Sequence, residues 1–315
     1  VLRDGARKAR QCGCASRYPH VLGTARVTET FPVGTASVGE RGSLSAAISV
    51  VVPAFNAERH LPATLHSILA QRGVTLELIV VDDCSTDGTA ACVAGIAHRD
   101  PRVRYLRTAS NCGGPAGPRN QGVAAATSQW IALCDADDLW HPDKLRIQHA
   151  VAARTGADLV CTAIEDFTSD DYPPAWLAAP VCDDGAVTML TYTAMLLKNR
   201  IATSSVLCRR DHLLRSGGFD TARSLVAVED YDLWLRLLEQ DGFKVVRVAT
   251  PLVAYRRVPG SLSAAKWRQA RKAIAVPRRA ARRNGWAWAY PLAMPVLVGT
   301  YVAMSAYSRL LKGRL

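Results

Sequence analysis

A repeated alternation of short apolar segments with helix-forming segments constrains the fold more than any other feature of the sequence. The apolar segments have the length and the Val, Ile and Leu content of buried strands, and helix-forming segments separate them. They span residues 48–53, 76–81, 103–106 and 130–134. Strands and helices that alternate at this spacing predict an α/β fold, with a mostly parallel central sheet, right-handed crossovers and flanking helices.

Polar residues follow three of these predicted strands. Asn56 comes after the first strand, Asp82 and Asp83 come after the second, and the segment Asp135–Asp138 comes after the fourth. In a parallel sheet, ligands bind beyond the carboxyl ends of the strands. We therefore expect these residues to converge on one rim of the sheet and to form a binding site there.

The segment after the fourth strand brings three carboxylates, Asp135, Asp137 and Asp138, to one point. Clustered carboxylates repel one another and lose hydration on burial, so a fold tolerates them mainly where a cation or a proton offsets the repulsion. A hard divalent cation such as Mg²⁺ or Mn²⁺ would do so. The alternative is a solvated acidic turn at the start of the helix predicted near Pro142.

The second half of the chain has a looser pattern and a second acidic group. Residues 157–162 predict a further strand, and residues 203–209 predict a strand on the far side of the cleft. A predicted helix then opens with Glu229, Asp230 and Asp232 in its first turn. Acidic residues at this position also stabilise a helix through its dipole, so the pattern leaves a functional and a structural interpretation open.

The composition limits the classes of fold and partner. A chain of 315 residues with 49% hydrophobic content can bury a full core, which excludes disorder throughout. The formal net charge of +12 and the pI near 9.5 indicate an anionic partner: nucleic acid, anionic lipid or a phosphorylated substrate. The nine cysteines include no Cys/His set at zinc-ligand spacing, which favours reduced thiols in a cytosolic protein.

The N-terminal region differs from the α/β segment. Residues 1–46 have little apolar periodicity and no continuous hydrophobic core of the kind a signal peptide requires. We expect a disordered leader at these residues. A translation start assigned too far upstream would give the same pattern.

The C-terminal region, residues 261–315, combines basic, aromatic and apolar residues. Its apolar run at 290–307 is marginal for a membrane span and is broken by Pro291 and Pro295. We expect this helical tail to lie in the membrane interface, with Trp and Tyr at headgroup level and Lys and Arg on anionic lipids. A helix packed on the domain and a dimer contact are the alternatives. Nucleic acid is not expected as a partner, because no recognition motif accompanies the charge.

Five motifs, in order, resemble those of the inverting glycosyltransferases of family 2, which have the GT-A fold. They are Val50–Asn56, Val80–Thr89, Asn111 with the Gly-rich loop into Arg119 and Asn120, Asp135–Asp138, and Glu229–Arg236. The resemblance implies a GT-A domain at residues 47–260, with a nucleotide half at about 47–140 and an acceptor half at about 141–260. The tail would be a C-terminal helical extension of this domain.

The resemblance implies how the sugar donor is held. The residues it assigns to the nucleotide sugar are Pro53, Phe55, Asn56, Asp82, Asp83, Arg119 and Asp135. A Phe face can pack on a base, and a carboxylate can accept a hydrogen bond from a ring N–H of uracil or guanine. Arg119 would face the nucleotide, where its guanidinium suits planar or phosphate acceptors.

The resemblance also assigns roles to the acidic groups. Asp135, Asp137 and Asp138 match the family's DxD motif, whose Mg²⁺ or Mn²⁺ bridges the donor diphosphate and offsets the charge on the leaving group. Either of the last two would be the direct ligand, with the first nearer the ribose. Asp230 matches the general base that takes the proton of an acceptor hydroxyl, with Glu229 and Asp232 as adjacent alternatives.

The implied function is the transfer of one sugar from a metal-bound nucleotide-diphosphate sugar to a hydroxyl acceptor, a glycan or glycolipid, in cell-surface polysaccharide or glycolipid assembly. The sequence has neither the Gln-x-x-Arg-Trp motif nor the several spans of the processive synthases, which favours single transfer. We expect a cytoplasmic location at the inner face of the plasma membrane. Two alternatives are a polyprenyl-phosphate glycosyltransferase and a catalytically silent nucleotide-sugar-binding scaffold.

Overall fold

The structure is a computed structural model that describes residues 46–168, 174–179, 181, 185–257 and 266–288, with Tyr290, Pro295 and Gly299 beyond them. The leader predicted at residues 1–46 lies outside this part of the chain except for its last residue. Most of the interfacial segment predicted at residues 290–307 also lies outside it.

The strands and helices predicted up to residue 162 are confirmed, with a few residues of difference at the ends, and the structure adds further elements that the sequence pattern did not predict. The strands are β1 (Ala46–Ala54), β2 (Val74–Asp82), β3 (Val103–Arg107), β4 (Trp130–Leu133), β5 (Leu139–Trp140), β6 (Leu159–Phe167), β7 (Val187–Met189), β8 (Leu207–Arg209) and β9 (Val245–Arg256). The helices are α1 (Leu61–Leu69), α2 (Thr89–Ala97), α3 (Ala116–Ala125), α4 (Lys144–Thr155), α5 (Tyr192–Leu197), α6 (Arg210–Arg215), α7 (Glu229–Leu238) and α8 (Lys266–Arg283).

These strands form one mixed sheet in the order β3-β2-β1-β4-β8-β6-β9-β5, with β7 paired to β9. Strands β1 to β4 run parallel to one another, and β9 runs parallel to β6. Strand β8 is antiparallel to both of its neighbours, β4 and β6, while β5 and β7 are antiparallel to β9. Six of the nine strands in the described residues therefore share one direction, as the predicted α/β fold requires.

The strand predicted at 203–209 is shorter than expected and lies in a different place. Residues Thr203–Ser205 form a 3-10 turn, so only Leu207–Arg209 remain extended. This short strand fills the space between β4 and β6, with Arg209 opposite Trp130, instead of lying on the far side of the cleft. As a result, the turn at Thr203 lies next to the carboxyl end of β4.

Two apolar cores cover the two faces of the sheet. Successive side chains of a strand point to opposite faces, and in β1 this places Val50 and Val52 in one core and Val51 in the other. Helix α3 approaches β1 closely at Gly122, where an added Cβ would lie 2.3 Å from a methyl carbon of Val51. A side chain at this position would push α3, and the loop in front of it, away from the rim.

The basic segment after residue 260 is partly seen as α8, which packs on the domain. Val276 is buried in the same core as α7. Lys272 Nζ donates to the carbonyl oxygen of Val226 at 2.8 Å, and Arg279 pairs with Asp220. Packing on the domain, the alternative interpretation of the tail, therefore describes this segment. No helix in the described part of the chain is long and apolar enough to cross a membrane.

Candidate active site

The loops after β1 and β2 meet at the carboxyl ends of the strands, as the sequence predicts. The backbone N–H of Asn56 donates to Ser85 Oγ at 2.9 Å, and Asn56 Oδ1 accepts from the backbone N–H of Thr86 at 2.9 Å. Asn56 has φ of +47°, in the left-handed region that asparagine tolerates better than most residues. Beside it, Phe55 is 53% exposed, so its ring is open to a ligand. Pro53 lies buried within β1.

The two neighbouring aspartates at the end of β2 have different environments. Asp82 is fully buried and accepts from the backbone N–H of Ser85 at 2.8 Å and from the hydroxyl of Tyr105 at 2.6 Å. Burial raises the pKa of Asp82, but these hydrogen bonds outweigh it and leave the pKa below its usual value. Asp82 therefore supports the loop after β2 from inside.

Asp83 connects the same rim to the Gly-rich loop before α3. Its carboxylate accepts from the backbone N–H of Cys112 at 2.9 and 3.0 Å and from the hydroxyl of Thr108 at 2.9 Å. Asn111 Nδ2 donates to the carbonyl oxygen of Asp83 at 3.0 Å. This arrangement fixes the carboxylate at the mouth of the loop.

Arg119 is buried between two carboxylates. One terminal nitrogen lies 2.6 Å from Asp135 Oδ1, and the other lies 2.7 Å from Glu229 Oε1. Burial by itself would lower the pKa of Arg119, but Asp135 and Glu229 raise it, so the guanidinium stays charged. The resemblance implies that Arg119 faces the nucleotide, and this stays a prediction; its two ion pairs join the rim of the parallel strands to α7. Arg119 Nε and Glu229 Oε2 remain buried without a hydrogen-bond partner.

The three carboxylates after β4 are not equivalent. Asp135 is held by Arg119, and its backbone N–H donates to Ser204 Oγ at 3.0 Å. Asp138 is 1% exposed, and its Oδ1 accepts from the backbone N–H of Arg256 at 2.9 Å. Burial and the charges of Asp137 and Asp135 raise the pKa of Asp138 well above its usual value. Its Oδ2 has no hydrogen-bond partner.

Asp137 is the member of this cluster that lacks such support. Its side chain is partly exposed and forms no ion pair with the described residues. Burial, followed by the nearby charge of Asp135, raises the pKa of Asp137 to about 6. A raised pKa means that the surroundings disfavour the ionised form of Asp137. A cation bound beside this carboxylate would offset that unfavourable free energy.

The donor set after β4 fits a hard divalent cation in its chemistry, since carboxylate oxygens are the ligands that Mg²⁺ and Mn²⁺ prefer. The buried, unpartnered Oδ2 of Asp138 and the unpaired carboxylate of Asp137 are the atoms that support this fit. No three His, Cys, Asp or Glu side chains in the described residues are arranged around one ion position.

Asp230 lies in the first turn of α7, next to Glu229. Its Oδ1 accepts from the backbone N–H of Tyr231 at 2.7 Å. Its Oδ2 accepts from the hydroxyl of Thr203 at 3.2 Å and, more weakly, from Asn199 Nδ2 at 3.5 Å. Burial and the charge of Glu229 raise the pKa of Asp230 to about 7, with Arg119 opposing them. A carboxylate in this state can hold or release a proton near neutral pH.

Asp232 serves the fold on another side of α7. It is 1% exposed and accepts from Arg236 Nε at 2.8 Å and from a terminal nitrogen of Arg283 at 3.0 Å. Since Arg283 belongs to α8, Asp232 joins the two helices. Of the three acidic residues in the first turn of α7, this one is fully occupied by arginines.

Sequence reasoning missed the residues that surround Asp230. Asn199 and Thr203 precede it by 31 and 27 residues and belong to no motif that the sequence makes visible. Ala227, just before α7, has φ of +74°, a conformation that is uncommon for a non-glycine residue. A small cleft beside it separates the Gly-rich loop from the segment before α7. Its lining residues are Cys112, Gly114, Pro115, Ala116, Gly117, Asp220, Thr221, Ala222, Val226 and Glu229.

Comparison with protein-family models places two matches on this chain. The model described as glycosyl transferase family 2 matches residues 49–206, and that of glycosyl transferase family group 2 matches residues 130–312. The first match contains the rim, Arg119 and the carboxylates after β4. The second begins at Trp130 and contains the carboxylates after β4 together with α7 and α8.

Curated relatives cover much of the same region. The putative teichuronic acid biosynthesis glycosyltransferase TuaG of Bacillus subtilis is 30% identical over 75% of this chain and 88% of its own length. The UDP-Glc:α-D-GlcNAc-diphosphoundecaprenol β-1,3-glucosyltransferase WfgD of Escherichia coli is 27% identical over 71% of the chain and 83% of its own length. The succinoglycan biosynthesis protein ExoO of Rhizobium meliloti is 42% identical, but the match spans only 39% of the chain and 34% of ExoO.

The fold has solved counterparts as well. The mannosyltransferase PcManGT of Pyrobaculum calidifontis, solved in complex with GDP-Man and Mn²⁺, superposes with a TM-score of 0.55 at 21% identity. The superposition covers 86% of this chain and 80% of PcManGT. At this identity, the similarity establishes a shared fold.

Proposed function

The chain belongs to glycosyl transferase family 2, and we propose that it is an inverting, cation-dependent enzyme that moves one sugar from a nucleotide-diphosphate sugar to an acceptor hydroxyl. The observation that carries this proposal is Asp230. It is a carboxylate with no arginine within ion-pair distance in the described residues and with a pKa raised to about 7. Through its neighbour Glu229 and Arg119 it is connected to Asp135 at the donor-side rim.

The donor nucleotide would bind along the rim formed by β1 and β2. The exposed ring of Phe55 offers a face for the base, and Asp83, whose carboxylate is held by Cys112 and Thr108, would accept from a ring N–H. Farther along, Arg119 Nε and Glu229 Oε2 are buried polar atoms without partners. Sugar hydroxyls of the donor could satisfy both atoms, since a hydroxyl donates and accepts hydrogen bonds.

The cation would be held by Asp137, with Asp135 beside it. Asp137 is partly exposed, whereas Asp138 is inside the protein and bonded to the backbone of Arg256. This difference favours Asp137 as the direct ligand; Asp138 fixes the loop through its Oδ1, and its Oδ2, without a partner in the described residues, is the second candidate ligand. When bound, Mg²⁺ or Mn²⁺ supplies positive charge next to the diphosphate that leaves.

In the proposed reaction, Asp230 takes up the proton of the acceptor hydroxyl. The oxygen of the acceptor hydroxyl attacks the anomeric carbon of the donor sugar from the face opposite the diphosphate. The bond from that carbon to the diphosphate oxygen breaks, and its electron pair leaves with the nucleoside diphosphate. Asp230 accepts the hydroxyl proton as the new bond forms, and attack from the opposite face inverts the configuration.

The acceptor that we propose is a sugar on a lipid carrier, within polysaccharide or glycolipid assembly. WfgD carries in its name an acceptor sugar joined through a diphosphate to undecaprenol. A glycolipid acceptor would require the enzyme to work at a membrane surface. A polyprenyl phosphate itself would be the acceptor in a second version of this function.

Helix α8 offers a surface for such contact. Arg278 and Arg282 stand one helical turn apart, are exposed, and form no ion pair with described residues. Trp288 follows them and is 79% exposed. A side of the helix next to this surface, with Arg279 and Arg283, is bound to the domain. Basic side chains beside an exposed tryptophan suit an anionic membrane interface on the cytoplasmic side.

A donor panel tests the proposed activity. The full chain is incubated with UDP-, GDP- and dTDP-sugars, with Mn²⁺ or Mg²⁺ or with a chelator, and release of nucleoside diphosphate is measured. The acceptors are short-chain lipid-diphosphate sugars, polyprenyl phosphate and free glycosides, and NMR of the product gives its anomeric configuration. Retention of configuration would contradict Asp230 as the base of a single displacement. Absence of turnover with every donor and acceptor would favour the non-catalytic scaffold.

Vesicle flotation tests the membrane surface. The double variant Arg278→Glu/Arg282→Glu should lose binding to vesicles rich in anionic lipid. The matched control is Arg99→Glu/Arg154→Glu, which makes the same change of charge at two exposed sites away from α8. Equal loss in the two variants would indicate a general effect of net charge and would remove α8 as the docking surface.

A further inference from the structure

Arg200 is a partly buried arginine that the protein leaves without a partner. Its Nε is buried and has no hydrogen-bond acceptor. No carboxylate lies within ion-pair distance of its guanidinium in the described part of the chain. Withdrawing a charged group from water costs free energy unless an opposite charge or hydrogen bonds replace the lost hydration. The buried Nε of Arg200 therefore has an unfavourable desolvation free energy that the described residues do not offset.

Three other buried or partly buried arginines in the described residues are bonded by their side chains, whereas Arg247, which is also partly buried, has no such bond. Arg119 has two carboxylates, and Arg236 has Asp232 together with the carbonyl oxygens of Ser216 and Gly218. Arg256 donates to the carbonyl oxygen of Asp137. The fold can thus provide partners for guanidinium groups, and at Arg200 it does not.

The position of Arg200 in the chain connects it to the proposed base. Asn199, the residue before it, donates to Asp230 Oδ2 at 3.5 Å, and Thr203, three residues after it, donates to the same oxygen at 3.2 Å. Asn199 Oδ1 also accepts from the backbone N–H of Ile201 at 3.1 Å, which forms a tight turn around Arg200. Arg200 is therefore built into the segment that surrounds the carboxylate expected to receive the acceptor proton.

We infer that Arg200 binds an anionic group of the acceptor, and that this group is a phosphate or diphosphate joined to the acceptor sugar. The inference rests on the proposed function, because Asp230 marks the acceptor side only if it is the base. A guanidinium binds phosphate oxygens through two parallel N–H groups, which fixes orientation as well as position. Arg200 would then hold the phosphate of the acceptor while the sugar hydroxyl reaches Asp230.

This arrangement separates two anion sites that bind different phosphates. The donor diphosphate would lie with the cation at Asp137, and the acceptor phosphate would lie at Arg200, beside Asn199 and Thr203. The separation explains why no carboxylate neutralises Arg200 in the protein: a permanent ion pair would have to break before the acceptor could bind. Arg200 is accordingly a specificity residue for acceptors with a negative charge close to the reacting sugar.

Matched acceptors test this inference. The first is a short-chain alkyl-diphosphate-linked N-acetylhexosamine, and the second is the uncharged alkyl glycoside of the same sugar with the same chain. Binding of each to the full chain is measured by calorimetry with nucleoside diphosphate and Mn²⁺ present, so that the donor site is filled. The variants are Arg200→Gln and Arg200→Lys, with Arg215→Gln on α6 as a matched control whose arginine is exposed.

Arg200→Gln should weaken binding of the diphosphate acceptor about 10- to 100-fold, the size expected for losing a charge-assisted hydrogen-bonded pair, and should change binding of the neutral glycoside little. Arg200→Lys should retain part of the difference. Equal weakening of both acceptors by Arg200→Gln, or no weakening of either, would overturn the inference. Weakening confined to a third probe, the alkyl glycoside of a hexuronate, would assign the site to a carboxylate and would overturn the phosphate.

The same experiment separates this inference from the proposed function. Donor turnover in the wild-type chain tests the glycosyltransferase activity alone, and the exposed control Arg215→Gln should leave donor hydrolysis in water unchanged. If donor turnover occurs but charge on the acceptor makes no difference, only the acceptor subsite fails. If no donor is consumed by any variant, the proposed function fails, and selective binding of the diphosphate probe would still report on Arg200.

Discussion

Two acidic groups, one after β4 and one at the start of α7, illustrate how the same residue type acquires different roles. Each group has three carboxylates within four residues: Asp135, Asp137 and Asp138 in the first, and Glu229, Asp230 and Asp232 in the second. Three of the six pair with arginines: Asp135, Glu229 and Asp232. Arg119 binds one carboxylate from each group and so joins them.

The two groups differ in the surroundings of the carboxylates that have no arginine partner. After β4, Asp137 and Asp138 have no ion pair in the described residues, but Asp138 is buried and bonded to the backbone N–H of Arg256, whereas Asp137 is partly exposed and close to the charge of Asp135. On α7 the carboxylate without an arginine partner is Asp230, which has only hydroxyl, amide and backbone donors. Carboxylates that arginines neutralise hold the fold together, whereas Asp137 and Asp230, which have neither an arginine partner nor full burial, are available for a cation or a proton. Arg200 is the positively charged counterpart: it has no carboxylate partner in the described residues and is therefore available for an anion.

The largest effect should come from Asp230→Asn. The amide cannot accept the proton of the acceptor, so the rate of transfer should fall by about 10²- to 10⁴-fold, while affinity for the nucleotide stays within a factor of two or so. Initial rates and calorimetric titration of nucleoside diphosphate measure the two quantities. Asp241→Asn, at an exposed turn, is the control. Near-normal transfer in Asp230→Asn would place the base elsewhere.

The variants Asp137→Asn and Asp138→Asn should affect different properties of the protein. Asp137→Asn should weaken cation-dependent binding of the donor nucleotide about 10- to 100-fold, because it removes a ligand oxygen charge. Asp138→Asn should mainly lower the stability of the protein, because Asp138 is inside and bonded to the backbone of Arg256. Calorimetry at several Mn²⁺ concentrations and urea unfolding measure the two effects. The reverse result would make Asp138 the ligand.

The pH dependence of kcat/KM should report the environment of Asp230. Burial and Glu229 raise its pKa to about 7, and a base must be ionised, so activity should increase with pH through an inflection near 7 and level off about one pH unit higher. Glu229→Gln removes the negative charge that raises this pKa, so the inflection should move to lower pH. Rates from pH 5 to 9 measure it. An inflection that stays in place in Glu229→Gln would assign it to another group.

The smallest effect on catalysis should come from Asp232. Asp232→Asn removes the charge that binds Arg236 and Arg283 and should lower the free energy of unfolding by about 1–3 kcal/mol, because both arginines keep some access to water. Transfer by the folded variant should remain close to that of the wild type. Urea unfolding and initial rates at low temperature test this. A loss of transfer comparable to that of Asp230→Asn would bring Asp232 into the catalytic group.

The sequence by itself determined the parallel part of the sheet and the rim where its strands end. Local patterns suffice there, because strands β1 to β4 follow one another with helical crossovers, and the carboxyl ends of parallel strands necessarily meet. The positions of Asn56, Asp82 and Asp83 followed from that rule. The motif at Glu229–Arg236 likewise indicated the acidic helix before its surroundings were known.

Only the tertiary structure decided which charge meets which. Arg119 pairs with Glu229 across 110 residues, Asp138 accepts from a backbone N–H 118 residues away, and β8 inserts antiparallel beside β4. Sequence spacing carries no information about such contacts, because a side chain's role depends on whether a partner from a distant segment neutralises it. Asp137, Asp230 and Arg200 look ordinary in the sequence. Their common property is that no charged side chain from a distant segment of the described chain pairs with them.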